Sequence, residues 1–437
     1  MLKKAAVLVV AVWTAATILP AKEFPLELKP LDEAQVMPCA NVFGAMAQVT
    51  TKKPAEIKAE PAAANRPLYG LLALGKTPPV ALRIGRSSAS SAYDRMIVDV
   101  NRNGDLQDDK AIEIRTVKMK MPQEQEVQVA GPIKIEREGG PVSVQVLLHL
   151  MPASIGPGGG SLQVFPAQYH EATVEIDGVR ERLGFVDANC NLVLGDIARD
   201  TGCTCENGPH LSFQSDVVLR DNDRSGAYDM ASLTCEAERL ADVIYLGAKP
   251  YKVEVATDQK AVVIEPYTGA VAEITGAFDK VAQLVVVRKE GENDWIAITP
   301  HAAEGKVVVP EGRYALWTCM VGAKDDAGAL WKALGAKGSA KESFLLKAGE
   351  TRALKFGAAL ELKTQSEVQV AQSGGLLRSL FGGGSRERYL RTSVEVTGAG
   401  GEKYTEFGKD NGQVKPPTCV IRDADGKELA SGRMEYG

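Results

Sequence analysis

Between Asp99 and Asp109 the chain reads Asp-Val-Asn-Arg-Asn-Gly-Asp-Leu-Gln-Asp-Asp. Oxygen-bearing side chains fall at Asp99, Asn101, Asn103 and Asp105, Gly104 interrupts them, and Asp108 and Asp109 close the run. A hard cation such as calcium takes roughly six to eight oxygens from a short, sharply turning loop. Alternate residues supply the oxygens here, and Gly supplies the turn. Two echoes follow. Asp187, Asn189, Asn191 and Asp196 keep the alternation, with Leu192 where the first loop has its Gly. Asp221, Asp223, Ser225 and Asp229 form the third set, and Gly226 is retained. Asp187 lies 88 residues after Asp99, with a matching Val-Asp entry, which reads as an internal repeat. The competing reading of each loop is a polar turn between strands, for which Asn, Asp and Gly are equally suited.

Cysteine offers a second cluster. Cys190, Cys203, Cys205 and Cys235 lie in one region, while Cys39, Cys319 and Cys419 are scattered. In an oxidising compartment the cluster predicts two disulfides of unspecified pairing. An i to i+2 bridge is strained, so Cys203 and Cys205 are expected to pair outward. The rival is a zinc site with His210, but Cys-x-Cys is narrower than ordinary zinc spacing. Recognisable enzyme signatures are absent. His170-Glu171 begins like a zincin motif and no second His follows, and no nucleophile elbow, P-loop or dinucleotide fingerprint occurs. Paired-carboxylate hydrolysis leaves no local motif.

The elements that must position these loops read as strands. A length of 437 residues implies about three domains, and 45% apolar residues suffice for their cores. With 43 Gly and 22 Pro the chain favours turns and strands over helices. The predicted fold is mostly β: tandem β domains of β-sandwich or Ig-like type with few short helices. A net charge of −5 gives no basic footprint for nucleic acid. Lys3 and Lys4, the apolar run Ala5 to Leu19 and the small site Leu19-Pro20-Ala21 predict a signal peptide over 1–21. That places the protein outside the cytoplasm, secreted or periplasmic. No later stretch is apolar for long enough to span a bilayer.

Residues 22–65 read as a lead-in or linker. Residues 66–168 form a β domain around the first loop, with strands at Val80 to Ile84 and Met96 to Val100 and unbroken alternation from Val142 to Leu150. Residues 169–267 hold the second and third loops, the Cys cluster and a hairpin at Asp177-Gly178. Glu236 to Leu246 is the best helix candidate there. Residues 268–357 show strands at sandwich spacing, and 358–437 form a last β region. Its Gly-rich insert, 373–384, reads as a flexible loop or, through Leu376, Leu377, Leu380 and Phe381, as a docking loop. Asp423 to Gly426 reads as a hairpin turn.

The Asp99 loop resembles the Asp-x-Asn-x-Asp-Gly loops of dockerins, EF-hands and thrombospondin-type repeats. Asp99, Asn101 and Asn103 match the first three ligand positions, Gly104 the turn, and Asp105 a carbonyl ligand. The twelfth position is Lys110, where an EF-hand carries a bidentate Glu, so Asp108 or Asp109 must close the site. Pro310-Glu-Gly-Arg-Tyr314 resembles a turn of carboxypeptidase-regulatory-like and collagen-adhesin B-type domains, which are prealbumin-like sandwiches. The chain as a whole resembles secreted bacterial proteins that join such loops to such domains. The resemblance implies calcium as a structural cofactor and a non-catalytic structural or binding role in the cell envelope or outside the cell, with an envelope protein or glycan as partner. Two alternatives follow from the residues. A carbohydrate- or protein-binding module would expose Trp295, Trp317 or Trp331, and a secreted hydrolase would show unpaired acids in a deep pocket.

Overall fold

The computed structural model describes residues 20–31, 45–62, 66–88, 92–120, 124–136, 141–151, 159–199, 215–221, 225–228, 236–276, 278, 281–290, 295–336, 342–357, 360–373, 385–409, 412–415 and 418–433. Almost all of this is β, in several separate sheets, as the turn-rich composition implies. Among the described residues no helix is long and apolar enough to cross a membrane.

The first unit is a closed barrel of eight antiparallel strands in simple up-and-down order. They are Met46–Thr50, Leu68–Leu72, Val80–Gly85, Arg95–Val98, Ile112–Lys120, Glu124–Ile135, Val142–Met151 and Gly159–Pro166, the last pairing back to the first. At this strand number the interior is just wide enough to be filled by side chains. Leu72, Leu82, Ile84, Met96, Val98, Val146, Leu162 and Val164 fill it. Closure differs from the sandwich expected. It requires Met46–Thr50, inside the segment read as a linker, to bridge the two barrel edges. That strand has only one short alternating stretch inside a segment rich in Pro, Ala and Lys, so pattern alone does not reveal it.

The second unit is a sandwich. One sheet runs Ala237–Arg239, Val217–Arg220, Val179–Val186, Gln168–Ile176 and Glu27–Pro30, and the other runs Lys22–Pro25, Ala261–Pro266, Lys249–Val255 and Val243–Leu246. Their inner faces meet through Val174, Ile176, Phe185, Val218, Ile244, Tyr251 and Ile264. The segment 22–30 thus adds an edge strand to each sheet. The Asp177-Gly178 turn forms as expected, both residues having positive φ, the conformation that matches strand twist in a tight hairpin. The predicted helix 236–246 is two short strands instead. Val243, Ile244 and Tyr245 are β-branched or aromatic, and Glu238 lies opposite Val218, from where it reaches Arg220.

The third unit packs the sheet of Val271–Thr275, Lys306–Pro310 and Thr351–Ala353 against a larger sheet that includes Trp295–Ile298, Val281–Lys289, Gly312–Lys324 and Leu330–Ala336. Ile274, Val286, Ile298, Val309, Phe344 and Phe356 form its core. Tyr314 is fully buried and its hydroxyl donates to the Pro310 carbonyl at 2.6 Å, closing the Pro-Glu-Gly-Arg-Tyr turn. The larger sheet continues through Lys403–Lys409, Ser385–Thr397 and Glu361–Ser373, so the boundary expected at 357 falls inside one sheet. Thr418–Arg422 and Glu428–Arg433 form the terminal hairpin about Asp423 to Gly426. Residues 374–384 of the Gly-rich insert lie outside the described residues.

Candidate functional site

The Asp99 loop joins barrel strands Arg95–Val98 and Ile112–Lys120. Asp99 is buried, and its two carboxylate oxygens accept from the amides of Asn103 (3.0 Å) and Gly104 (2.9 Å). Asn101 Oδ1 accepts from Asn103 N, and Asn103 Oδ1 accepts from Asp105 N. The Nδ2 groups of Asn101 and Asn103 both donate to one oxygen of Asp108, at 3.2 and 2.8 Å. Asp109 Oδ1 accepts from Val100 N at 3.3 Å, and its buried Oδ2 has no hydrogen-bond partner. Burial, and then the charges of Asp108, Asp99 and Asp105, push the Asp109 carboxyl up to about 6. Arg102 and Gly104 take positive φ, and a Cβ on Gly104 would lie 2.6 Å from the Glu56 carbonyl oxygen. The segment 57–60 straps this loop, Lys58 and Ala59 amides donating to the Gly104 carbonyl.

The Asp187 loop repeats this wiring as far as Asp196. Asp187 accepts from the amides of Asn191 (3.1 Å) and Leu192 (2.8 Å), Asn189 Oδ1 from Asn191 N, and Asn191 Oδ1 from Val193 N. The Nδ2 groups of Asn189 and Asn191 converge on one oxygen of Asp196, the counterpart of Asp108. Cys190 and Leu192 have positive φ, matching Arg102 and Gly104. A left-handed Leu costs about 1–2 kcal/mol. Leu192 is buried in the barrel core, where a Leu side chain contributes about 1.5–3 kcal/mol, so burial wins. This is how the loop dispenses with its Gly.

The third loop is partial. Asp221 Oδ2 accepts from Gly226 N at 3.0 Å and Ser225 Oγ from Ala227 N, the same register again. Arg182 Nη2 also reaches Asp221, at 3.2 Å, so a guanidinium of the protein itself pairs with this carboxylate. Asp223 and Asp229 lie outside the described residues.

Cys190, expected in a disulfide, is a free thiol buried in the barrel core, and burial pushes its pKa up. The loop turns its side chain inward, where the thiol donates to the Val164 carbonyl oxygen at 3.7 Å. Cys203, Cys205, Cys235 and His210 lie outside the described residues.

Two features were not visible in the sequence. Asp216, which opens strand Val217–Arg220, is fully buried, and its Oδ2 accepts from the amides of Gly195 (2.6 Å) and Asp196 (3.0 Å). The other is a cleft of about 660 Å3 lined by Arg180, Glu181, Arg182, Arg220, Asp221 and His301. Arg220 is buried and bonds Glu181 (2.6 Å) and Glu238 (2.9 Å), and His301 Nε2 lies 2.8 Å from Glu238. Burial works against ionised Glu238, yet Arg220 and His301 hold its pKa down to about 2. Glu181 and Asp221, the acids of this cleft, each bond an arginine. Of the tryptophans, Trp295 is buried and Trp317 packs against the same cluster, while Trp331 is 41% exposed and donates to Asp325.

Among the described residues, no group of three or more His, Cys, Asp or Glu side chains is placed to hold a metal ion by itself. The oxygen sets of both complete loops are mixed, acids with Asn. No protein-family model matches the chain, and no curated protein or solved structure matches it.

Proposed function

We propose an exported, non-catalytic structural or binding protein of the cell envelope or extracellular space, whose Asp99 and Asp187 loops bind calcium. The observation that carries the metal reading is the shared wiring. Two loops 88 residues apart, on a barrel and on a sandwich, fold their Asp and Asn side chains in the same register despite different sequences between them. A plain turn needs one or two such contacts. These loops also gather carboxylates that repel one another, and Asp109 keeps an oxygen without a partner. Calcium bound only by the folded chain would relieve that repulsion and stabilise the fold by mass action. Calcium outside cells is abundant enough to fill modest sites, and the signal-peptide pattern of residues 1–21 supports export.

Thermal unfolding of the purified protein in excess EDTA and then in millimolar calcium tests this. Calcium is expected to raise the melting temperature by several degrees, and Asp99→Ala is expected to remove part of that rise. An unchanged melting temperature would reduce the loops to ordinary turns.

A further inference from the structure

The Asp99 loop carries its own closing acid, since Asp109 follows Asp108 directly. The corresponding position after Asp196 is Ile197, which has no oxygen to offer. The chain therefore looks one ligand short at the second loop. Asp216 repairs this from a distance. It lies 20 residues beyond Asp196 in sequence, yet Asp216 N donates to the Asp196 carbonyl at 2.9 Å, and the amides of Gly195 and Asp196 donate back to Asp216 Oδ2. Its Oδ1 is buried with no hydrogen-bond partner, as is Asp109 Oδ2 in the first loop. Both acids are held by backbone amides of their own loop through one oxygen and leave the other unbonded.

A fully buried carboxylate oxygen without a donor is costly in a finished structure. Its hydrogen bonds to Gly195 and Asp196 also bring a third acid to a loop that already holds Asp187 and Asp196. A cation supplied from outside answers both problems. We propose that Asp216 is the closing ligand of a second calcium site, with Asp187, Asp196 and the side-chain oxygens of Asn189 and Asn191 as the remaining set. In the ion-free arrangement the two Asn Nδ2 groups donate into Asp196. The Oδ1 atoms that accept from Asn191 N and Val193 N each keep a second lone pair that an ion could share.

The placement gives such an ion a role that the first site lacks. Cys190 and Leu192 of this loop are buried in the barrel core, Leu194 in the sandwich core, and Ala198 accepts from Ala297 of the third unit. A Cβ at Gly75 of the barrel would collide with the Asn191 carbonyl. Calcium here would fasten the junction of all three β units.

This inference rests on the calcium reading of the loops, so the test must separate the two. Calcium stoichiometry by titration calorimetry, together with thermal unfolding in EDTA and in calcium, is measured for the full chain and for Asp99→Ala, Asp187→Ala and Asp216→Asn. Asp216→Asn is expected to lose the same single calcium equivalent as Asp187→Ala and to keep the one lost in Asp99→Ala. In EDTA it should melt no lower than the parent, because the amide oxygen still accepts from Gly195 and Asp196 while the repulsion is gone. In calcium it should melt several degrees lower. Full stoichiometry in Asp216→Asn, with one equivalent lost in each of the other two variants, overturns the role of Asp216 and leaves the calcium reading standing. The same overturning follows if only Asp99→Ala loses an equivalent, or if Asp216→Asn loses stability equally in EDTA and in calcium. A parent protein that binds no calcium overturns both.

Discussion

The Asp99 and Asp187 loops share their hydrogen bonds and differ in everything that supports them. The first is self-contained: its Gly supplies the left-handed turn, its acids are contiguous, and residues 57–60 brace it from outside. The second borrows. Its turn residue is Leu192, stabilised by the barrel core, and the acid beside it, Asp216, comes from a neighbouring strand. The difference shows that one loop geometry can be specified either by local backbone chemistry or by tertiary packing. Only the first kind can be recognised from a short stretch of sequence.

The most disruptive change should come from the sandwich around the second loop. Glu238→Gln removes one of the two carboxylates that hold buried Arg220 and leaves Glu181, so the loss is expected at the lower end of the about 3–5 kcal/mol that breaking a buried pair costs. Glu238 also sets a pH dependence. Its folded pKa of about 2 lies below the 4.5 of an ordinary glutamate, so its contribution is present above about 4.5 and is lost as pH falls toward 2. The acid limb of the melting profile should therefore flatten in Glu238→Gln. A variant that keeps the parental acid slope would assign that slope to other carboxylates.

The turn residues sharpen the comparison next. Leu192→Ala empties part of the barrel core while keeping a Cβ at positive φ, and a loss of about 3 kcal/mol is expected in urea unfolding. Leu192→Gly empties the same space but relieves the backbone, so it should lose less, by up to about 1 kcal/mol. Gly104→Ala runs the other way. It adds strain and drives a Cβ against the Glu56 carbonyl, for a loss of about 2 kcal/mol. If Ala at 192 proved better than Gly, the left-handed strain would not be what packing overcomes.

How much was legible follows the same division. The strands beside the first loop, the Asp177-Gly178 turn and the terminal hairpin depend on neighbours in sequence, and their alternation or turn chemistry shows in the residues themselves. Barrel closure by Met46–Thr50, the edge strands at 22–30 and the strand at Ala237–Arg239 depend on partners more than 100 residues away or on a buried ion pair. Nothing local marks them. Cys190 follows the same division: its neighbours in sequence include other cysteines, while the loop's left-handed turn aims it into the barrel. Asp216 carries no motif and gains its meaning only from the amides of Gly195 and Asp196.

The smallest effects decide what the first aspartates are for. Asp99→Ala and Asp187→Ala each remove a carboxylate that accepts two backbone amides, much as a helix cap does, for which losses of about 1 kcal/mol are usual. In EDTA that loss is partly returned, because each change also removes one of several mutually repelling acids. The net cost without calcium should therefore be about 1 kcal/mol or less at both positions, measured by urea unfolding in EDTA. With calcium the return vanishes, since the ion has already neutralised the repulsion, and the cost should grow at both. A turn that served only the backbone would show the same loss in either condition. Should Asp99→Ala grow costlier in calcium while Asp187→Ala does not, only the self-contained loop would be an ion site, and the tertiary copy would be geometry without chemistry.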